Sequence, residues 1–199
     1  FPNLWNEYCK SFIIKIRTDI TKNPNVLHLE LLARCPPIDN MDLTNALLSL
    51  LKHENYIIRS YVPAAIFKHS SSLDKKSINE LIYKLLTFAL SENEAIIRKN
   101  ILKSFPEFVI QYLTTDTSIQ CLEILSNDED FSVRKNAIQL LSKISPYAPF
   151  KILPIFRRVL LDNLFLLSSP KSNRLRKEMS KLLLIVVVSA ELILPIYSE

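Results

Sequence analysis

The side chains able to do acid–base, nucleophilic or metal chemistry are few in this 199-residue chain and lie far apart. His28, His53 and His69 never stand three or four residues from one another, the spacing that puts two ligands on one helix face, so no metal site is expected. Cys9, Cys35 and Cys121 form no Cys-x-x-Cys pair and have no histidine beside them in sequence. They read as reduced thiols used as small core residues in a cytosolic or nuclear protein. No catalytic, cofactor-binding or metal-binding residue is expected. The side chain that recurs with a period is arginine, in Ile57-Ile58-Arg59, Ile96-Ile97-Arg98 and Ser132-Val133-Arg134. Each arginine stands just inside an apolar helix-forming run and follows a polar turn. His53, Glu92 and Asp128 each precede their arginine by 6 residues.

Arginines 39 and then 36 residues apart fall at the length of a two-helix HEAT or armadillo repeat, and Arg174-Leu175-Arg176-Lys177 is a weaker fourth copy. The expected fold is an all-α solenoid of HEAT/armadillo-like helix pairs, because no segment shows the period-two alternation of a half-buried strand. The expected organisation is N-terminal helices over 1–40, then repeats at 41–71, 72–114, 115–146 and 147–199, the last continuing beyond the segment. A single helix pair cannot bury its own apolar face, so repeats stack and function lies on an extended surface. In that frame Arg59, Arg98 and Arg134 are expected to tie one repeat to the next. Glu92 and Asp128 are expected to cap their own helices while pairing with a neighbouring arginine.

The helices follow from apolar spacing and from breakers. A helix is expected over residues 2–20, ended by Asn23-Pro24-Asn25, and a second from Val26 to Ala33, with Pro36-Pro37 forcing an extended link. Asp42 is expected to cap the next helix, and Pro63 to bend the one after the His53 turn. Pro106 interrupts the helix from Ile96, and Thr115-Asp116 caps a short one. Phe131 to about Ser145 is the most regular, Phe150 to Leu167 must absorb Pro154, and a last helix is expected over about 174–190. The aromatics Phe105, Phe108, Tyr112, Phe131, Tyr147, Phe150 and Phe156 read as packing anchors.

Composition removes several function classes. There is no glycine in the chain, which excludes glycine-rich phosphate loops and Rossmann turns. The net charge is +5, but 25 basic residues are diluted by 20 acidic ones, so nucleic acid is not the expected partner. The apolar stretch Leu182 to Ile196 contains Glu191 and Pro195 and is shorter than the roughly 20 residues of a membrane span. A chain starting at Phe1, and ending with this run uncovered, reads as a segment of something longer. The densest basic region holds Arg157, Arg158, Lys171, Arg174, Arg176 and Lys177. It is either a solvated outer face or a docking face for an acidic partner.

From Leu125 onward the residues become specific. Asn127-Asp128, Phe131-Ser132-Val133-Arg134, Ala137-Ile138, Lys143-Ile144-Ser145, Pro149-Phe150 and Ile152-Leu153-Pro154 are followed by Phe156-Arg157-Arg158-Val159-Leu160, Arg176-Lys177-Glu178, Lys181-Leu182-Leu183 and Leu192-Ile193-Leu194-Pro195-Ile196-Tyr197. In this order and spacing they resemble the N-terminal HEAT solenoid of the target-of-rapamycin (TOR) serine/threonine kinases, within the PI3K-related kinase family. The resemblance implies a non-catalytic scaffold segment of a nutrient-responsive kinase, assembling regulatory subunits in a dimeric complex. A raptor-like or rictor-like subunit would be the partner. The location would be cytoplasmic, peripheral to vacuolar, lysosomal or other endomembranes, or nuclear. ATP and Mg would belong to the kinase domain elsewhere in the parent, and without glycine this stretch holds no Asp-Phe-Gly motif. The competing reading is a HEAT-repeat adaptor unrelated to the kinase, such as a transport receptor, phosphatase scaffold or chromatin-associated solenoid.

Overall fold

The computed structural model describes residues 7, 11, 20, 22–37, 41–70 and 73–167, with only the backbone described at 41 and 160–167. The helix expected over 2–20 falls almost wholly outside these residues, as does the one expected over 174–190. Every regular element among the described residues is helical. The chain divides into two compact units, residues 1–107 and 108–199.

The first unit contains α1 (Val26–Arg34), α2 (Met41–Leu50), α3 (Tyr56–Lys68), α4 (Lys75–Ser91) and α5 (Ala95–Ser104). Asparagine sets two of these starts, since Asn25 and Asn55 sit in extended backbone and accept the amides of Leu27 and Ile57 at 2.9 Å each. Each so satisfies one of the amides a helix start leaves open. Asp74 caps α4 through the Ser77 amide at 2.7 Å. That backbone bond is the main cause holding its carboxyl below the ordinary aspartate value. Asp42 does not cap α2; it lies inside the first turn, where its charge still complements the helix dipole. The chain is extended at Cys35 before Pro36-Pro37 and at Phe105 before Pro106, so both breakers act where proline chemistry demands. Helix α3 runs through Pro63, which is buried.

Helix α3 is the hub of this unit, packing on α1, α2 and α5, while α4 packs on α5. Its inward stripe, Ile58, Val62, Ala65 and Ile66, is buried as the three- and four-residue spacing dictates. On α4, Ile78, Leu81, Ile82, Leu85 and Leu86 are buried likewise. Phe67 and Phe105 join the ends of α3 and α5, their ring centroids 4.8 Å apart. His69, just past α3, is completely buried, with Nε2 2.9 Å from the Leu32 carbonyl of α1.

The second unit has α6 (Glu107–Ile110, beginning at the boundary), a 3-10 turn (Gln111–Thr114), α7 (Asp116–Leu125), α8 (Phe131–Ile144) and α9 (Pro149–Leu167). Thr115 caps α7 by accepting the Ser118 amide at 3.2 Å. Helix α7 packs on α8, and α9 rests on both, burying Ile152, Ile155, Phe156 and Val159. Burial pushes the Cys121 thiol of α7 above its ordinary value, the behaviour of an inert core residue. Phe105 and Phe156 are packing anchors as expected. Phe108, Phe131, Tyr147 and Phe150 are not, each remaining 39–67% exposed. They sit at helix starts and turns.

Candidate functional site

The recurring arginines build one local structure three times. Helices α3, α5 and α8 begin at Tyr56, Ala95 and Phe131, so Arg59, Arg98 and Arg134 each occupy the fourth helical position. From there the guanidinium turns back over the preceding turn. Arg59 Nη1 donates to the carbonyls of His53 and Glu54 at 2.7 and 2.9 Å. Arg98 Nη1 donates to those of Glu92 and Asn93 at 3.0 and 2.7 Å. Arg134 Nη1 donates to those of Asp128 and Glu129 at 2.6 and 3.0 Å. One charged donor thus binds two successive carbonyls of each turn.

The residue six before each arginine completes the turn from the other side. His53 Nδ1 accepts the Asn55 amide at 3.0 Å, Glu92 Oε1 the Glu94 amide at 3.0 Å, and Asp128 Oδ1 the Asp130 amide at 2.8 Å. This corrects the expected capping role of Glu92 and Asp128. They hold the amide of the capping residue and not the first amides of the helix. At α8 that second task falls to Asp130, which accepts from the amides of Ser132 and Val133 at 2.8 and 3.1 Å. Glu94 makes no side-chain cap at α5.

Arg59 does more than close its own turn. Its Nε and Nη2 reach Glu92 of the α4–α5 turn at 2.9 and 3.1 Å, a two-pronged pair linking successive helix pairs within the first unit. The side chains are 16% and 5% exposed, so little water screens them. Burial pushes the Glu92 carboxyl up, but the Arg59 hydrogen bond, the Glu94 amide and the Arg59 charge together outweigh it and leave the carboxyl below its ordinary value. Sequence reasoning missed the neutral tie beside it. Asn100 Nδ2 donates to the Ser60 carbonyl at 3.0 Å, joining α5 to α3. A signal existed, because Arg-Lys-Asn occurs at both 98–100 and 134–136. Asn136, at the equivalent place, bonds the Ser132 carbonyl of its own helix.

The basic region is only partly in view, since Lys171, Arg174, Arg176 and Lys177 lie outside the described residues. Arg157 is exposed on α9. Arg158 is 63% exposed and pairs with Glu123 of α7 at 2.6 Å. Lys151 pairs with Asp116 at 2.7 Å. Two cations of α9 therefore already face carboxylates of α7. Among the described residues no group of three or more His, Cys, Asp or Glu side chains could hold a metal ion, and no helix is long and apolar enough to cross a membrane.

Paired helices, short polar turns and an arginine folded back at the fourth position of the second helix define an all-α, helical-repeat protein of the solenoid class. In sequence the chain is similar to the target-of-rapamycin serine/threonine kinases. It is 26% identical over 166 residues to the serine/threonine-protein kinase tor1 of Schizosaccharomyces pombe, covering 79% of this chain and 7% of that protein. It is 32% identical over 124 residues to the serine/threonine-protein kinase TOR of Arabidopsis thaliana, covering 61% and 5%. With the serine/threonine-protein kinase TOR2 of Saccharomyces cerevisiae it shares 25% identity over 153 residues, covering 72% and 6%. The similarity reaches well beyond the block from Leu125 onward, while the chain spans only 5–7% of the length of these relatives. No protein-family model matches the chain.

Proposed function

We propose that this chain is a non-catalytic scaffold segment of a target-of-rapamycin serine/threonine kinase, a run of HEAT repeats whose outer surfaces seat regulatory subunits. The observation that carries the reading is the similarity to several TOR kinases over most of this chain but a small share of each relative. Its physical support is the arginine-closed turn, which spends its polar chemistry on backbone carbonyls and on a neighbouring turn, leaving helix surfaces to act by contact. Kinase chemistry, ATP and Mg belong to another part of the parent, a reading supported by the small share, 5–7%, of each relative that this chain spans. The Arg59, Glu92, Arg98, Asp128 and Arg134 side chains serve the stacking of repeats, and the exposed Arg157 is the described part of a basic face for an acidic partner. That partner is a raptor-like or rictor-like subunit in a dimeric, cytoplasmic assembly peripheral to endomembranes.

The test is cross-linking mass spectrometry on the intact parent protein purified with its associated subunits. Cross-links from residues 1–199 to a non-kinase subunit, in a particle with protein-kinase activity, are expected. A parent lacking a kinase domain would replace this reading with the unrelated HEAT adaptor.

A further inference from the structure

The three arginine turns share a geometry but not the chemistry of their acceptor. In the α4–α5 and α7–α8 turns the amide of the capping residue is held by a carboxylate, Glu92 or Asp128. In the α2–α3 turn it is held by the ring nitrogen of His53, 3.0 Å from the Asn55 amide. A backbone amide can only donate, so His53 Nδ1 is necessarily the acceptor, which requires a neutral ring with its proton on Nε2. An imidazolium has two N–H donors and no acceptor. It would set a donor against a donor at Asn55.

We propose that His53 is a proton-operated latch of the α2–α3 turn: the turn is closed with a neutral imidazole and opens when the ring takes up a proton. This goes beyond the scaffold reading and does not depend on it. His53 is half-buried, between exposed Lys52 and exposed Glu54. Among the described residues, the charged groups of the turn and of its hydrogen-bonded contacts are Lys52 and Glu54 on either side, Arg59 of α3, and Glu92 of the α4–α5 turn beyond Arg59. Arg59 Nη1 already donates to the His53 carbonyl, so a second positive charge on that residue opposes the guanidinium. Opening therefore acts on two bonds, the Asn55 amide that fixes the start of α3 and the Arg59 seat from which Glu92 is reached. Histidine is the side-chain type whose ordinary charge change falls in the neutral range, whereas a carboxylic acid as a type changes charge well below it. Only one of the three turns responds.

The test is amide hydrogen exchange on the full chain between about pH 7.5 and pH 5.5, with the three histidine ring signals followed by NMR. Wild type is compared with His53→Asn, whose amide oxygen accepts the same bond at every pH. His53→Asp is the second variant, should the asparagine form fold poorly. Loss of one such bond predicts that opening at residues 55–59 rises about fivefold, beyond the chemical effect of pH, as the His53 signal titrates. The same region should stay flat in His53→Asn, and residues 130–134 should stay flat in wild type. An equal rise in the asparagine variant, a titrating ring with no rise in opening, or a ring that stays neutral throughout would each overturn the proposal.

Discussion

Replacing Glu92 by alanine should be among the most damaging single polar changes in the first unit. Its carboxylate accepts from Arg59 Nε at 2.9 Å, Arg59 Nη2 at 3.1 Å and the Glu94 amide at 3.0 Å, with only 5% of the side chain exposed. A hydrogen bond to a charged group contributes about 1.5–3 kcal/mol, and removing one partner of a fully buried pair costs about 3–5 kcal/mol. Arg59 is 16% exposed and retains the His53 and Glu54 carbonyls, which moderates the penalty. The expected loss is about 2–3 kcal/mol, centred on α3 to α5. Glu92→Gln keeps an acceptor for the Glu94 amide and should lose about 1–1.5 kcal/mol. Because the chain divides into two compact units, the assay is hydrogen exchange in increasing urea, read on peptides from each unit. A double-mutant cycle with Arg59→Ala should return a coupling of about 1–2 kcal/mol. A coupling near zero, or a Glu92→Ala protein as stable as the parent, would refute the view that this pair joins successive helix pairs.

The same carboxylate sets a pH dependence. Its pKa is lowered in the folded chain, so its contribution is complete above the unfolded glutamate range and fades as pH falls through the folded value. Urea melts of wild type and Glu92→Gln should therefore differ near neutrality and converge in acid. Arg134→Ala should cost the second unit about 1–2 kcal/mol, since two carbonyls of the Asp128 turn lose their donor and the guanidinium leaves the Phe131 ring, 5.8 Å from its centroid; the same exchange experiment reads it. Arg158→Ala should cost no more than about 1 kcal/mol, in a manner that disappears at high salt, because an ion pair with a 63% exposed arginine is well screened. Leu141→Ala, at a completely buried position of α8, should cost about 2–5 kcal/mol and give the upper reference for the second unit.

The sequence by itself determined the helices, because their signals are local. Asn25, Asn55 and Thr115 offer a side-chain oxygen to an amide two or three residues ahead, and Pro36 and Pro106 restrict the residue before them, so boundaries are written within a few positions of where they act. Apolar spacing then chose the inward faces of α3 and α4. The exception, Asp42, shows the limit of such reading. Any acid near a helix start suits the dipole, and residue type alone does not separate a cap from a first-turn position.

The arginine site was half written in the sequence. Its period and the acceptor six residues earlier were visible, but the direction of the guanidinium was not. Its targets are the carbonyls of residues 53 and 54, 92 and 93, and 128 and 129, and a backbone carbonyl has the same chemistry whatever side chain stands there. Tertiary structure alone brought Glu92 to Arg59 across 33 residues and Asn100 to Ser60 across 40, since both contacts depend on how closely one helix pair packs on the next. Packing also left Phe131, Tyr147 and Phe150 in solvent although their spacing suits a core. A side chain's burial is decided by the element that lies opposite it, and no local pattern encodes that neighbour.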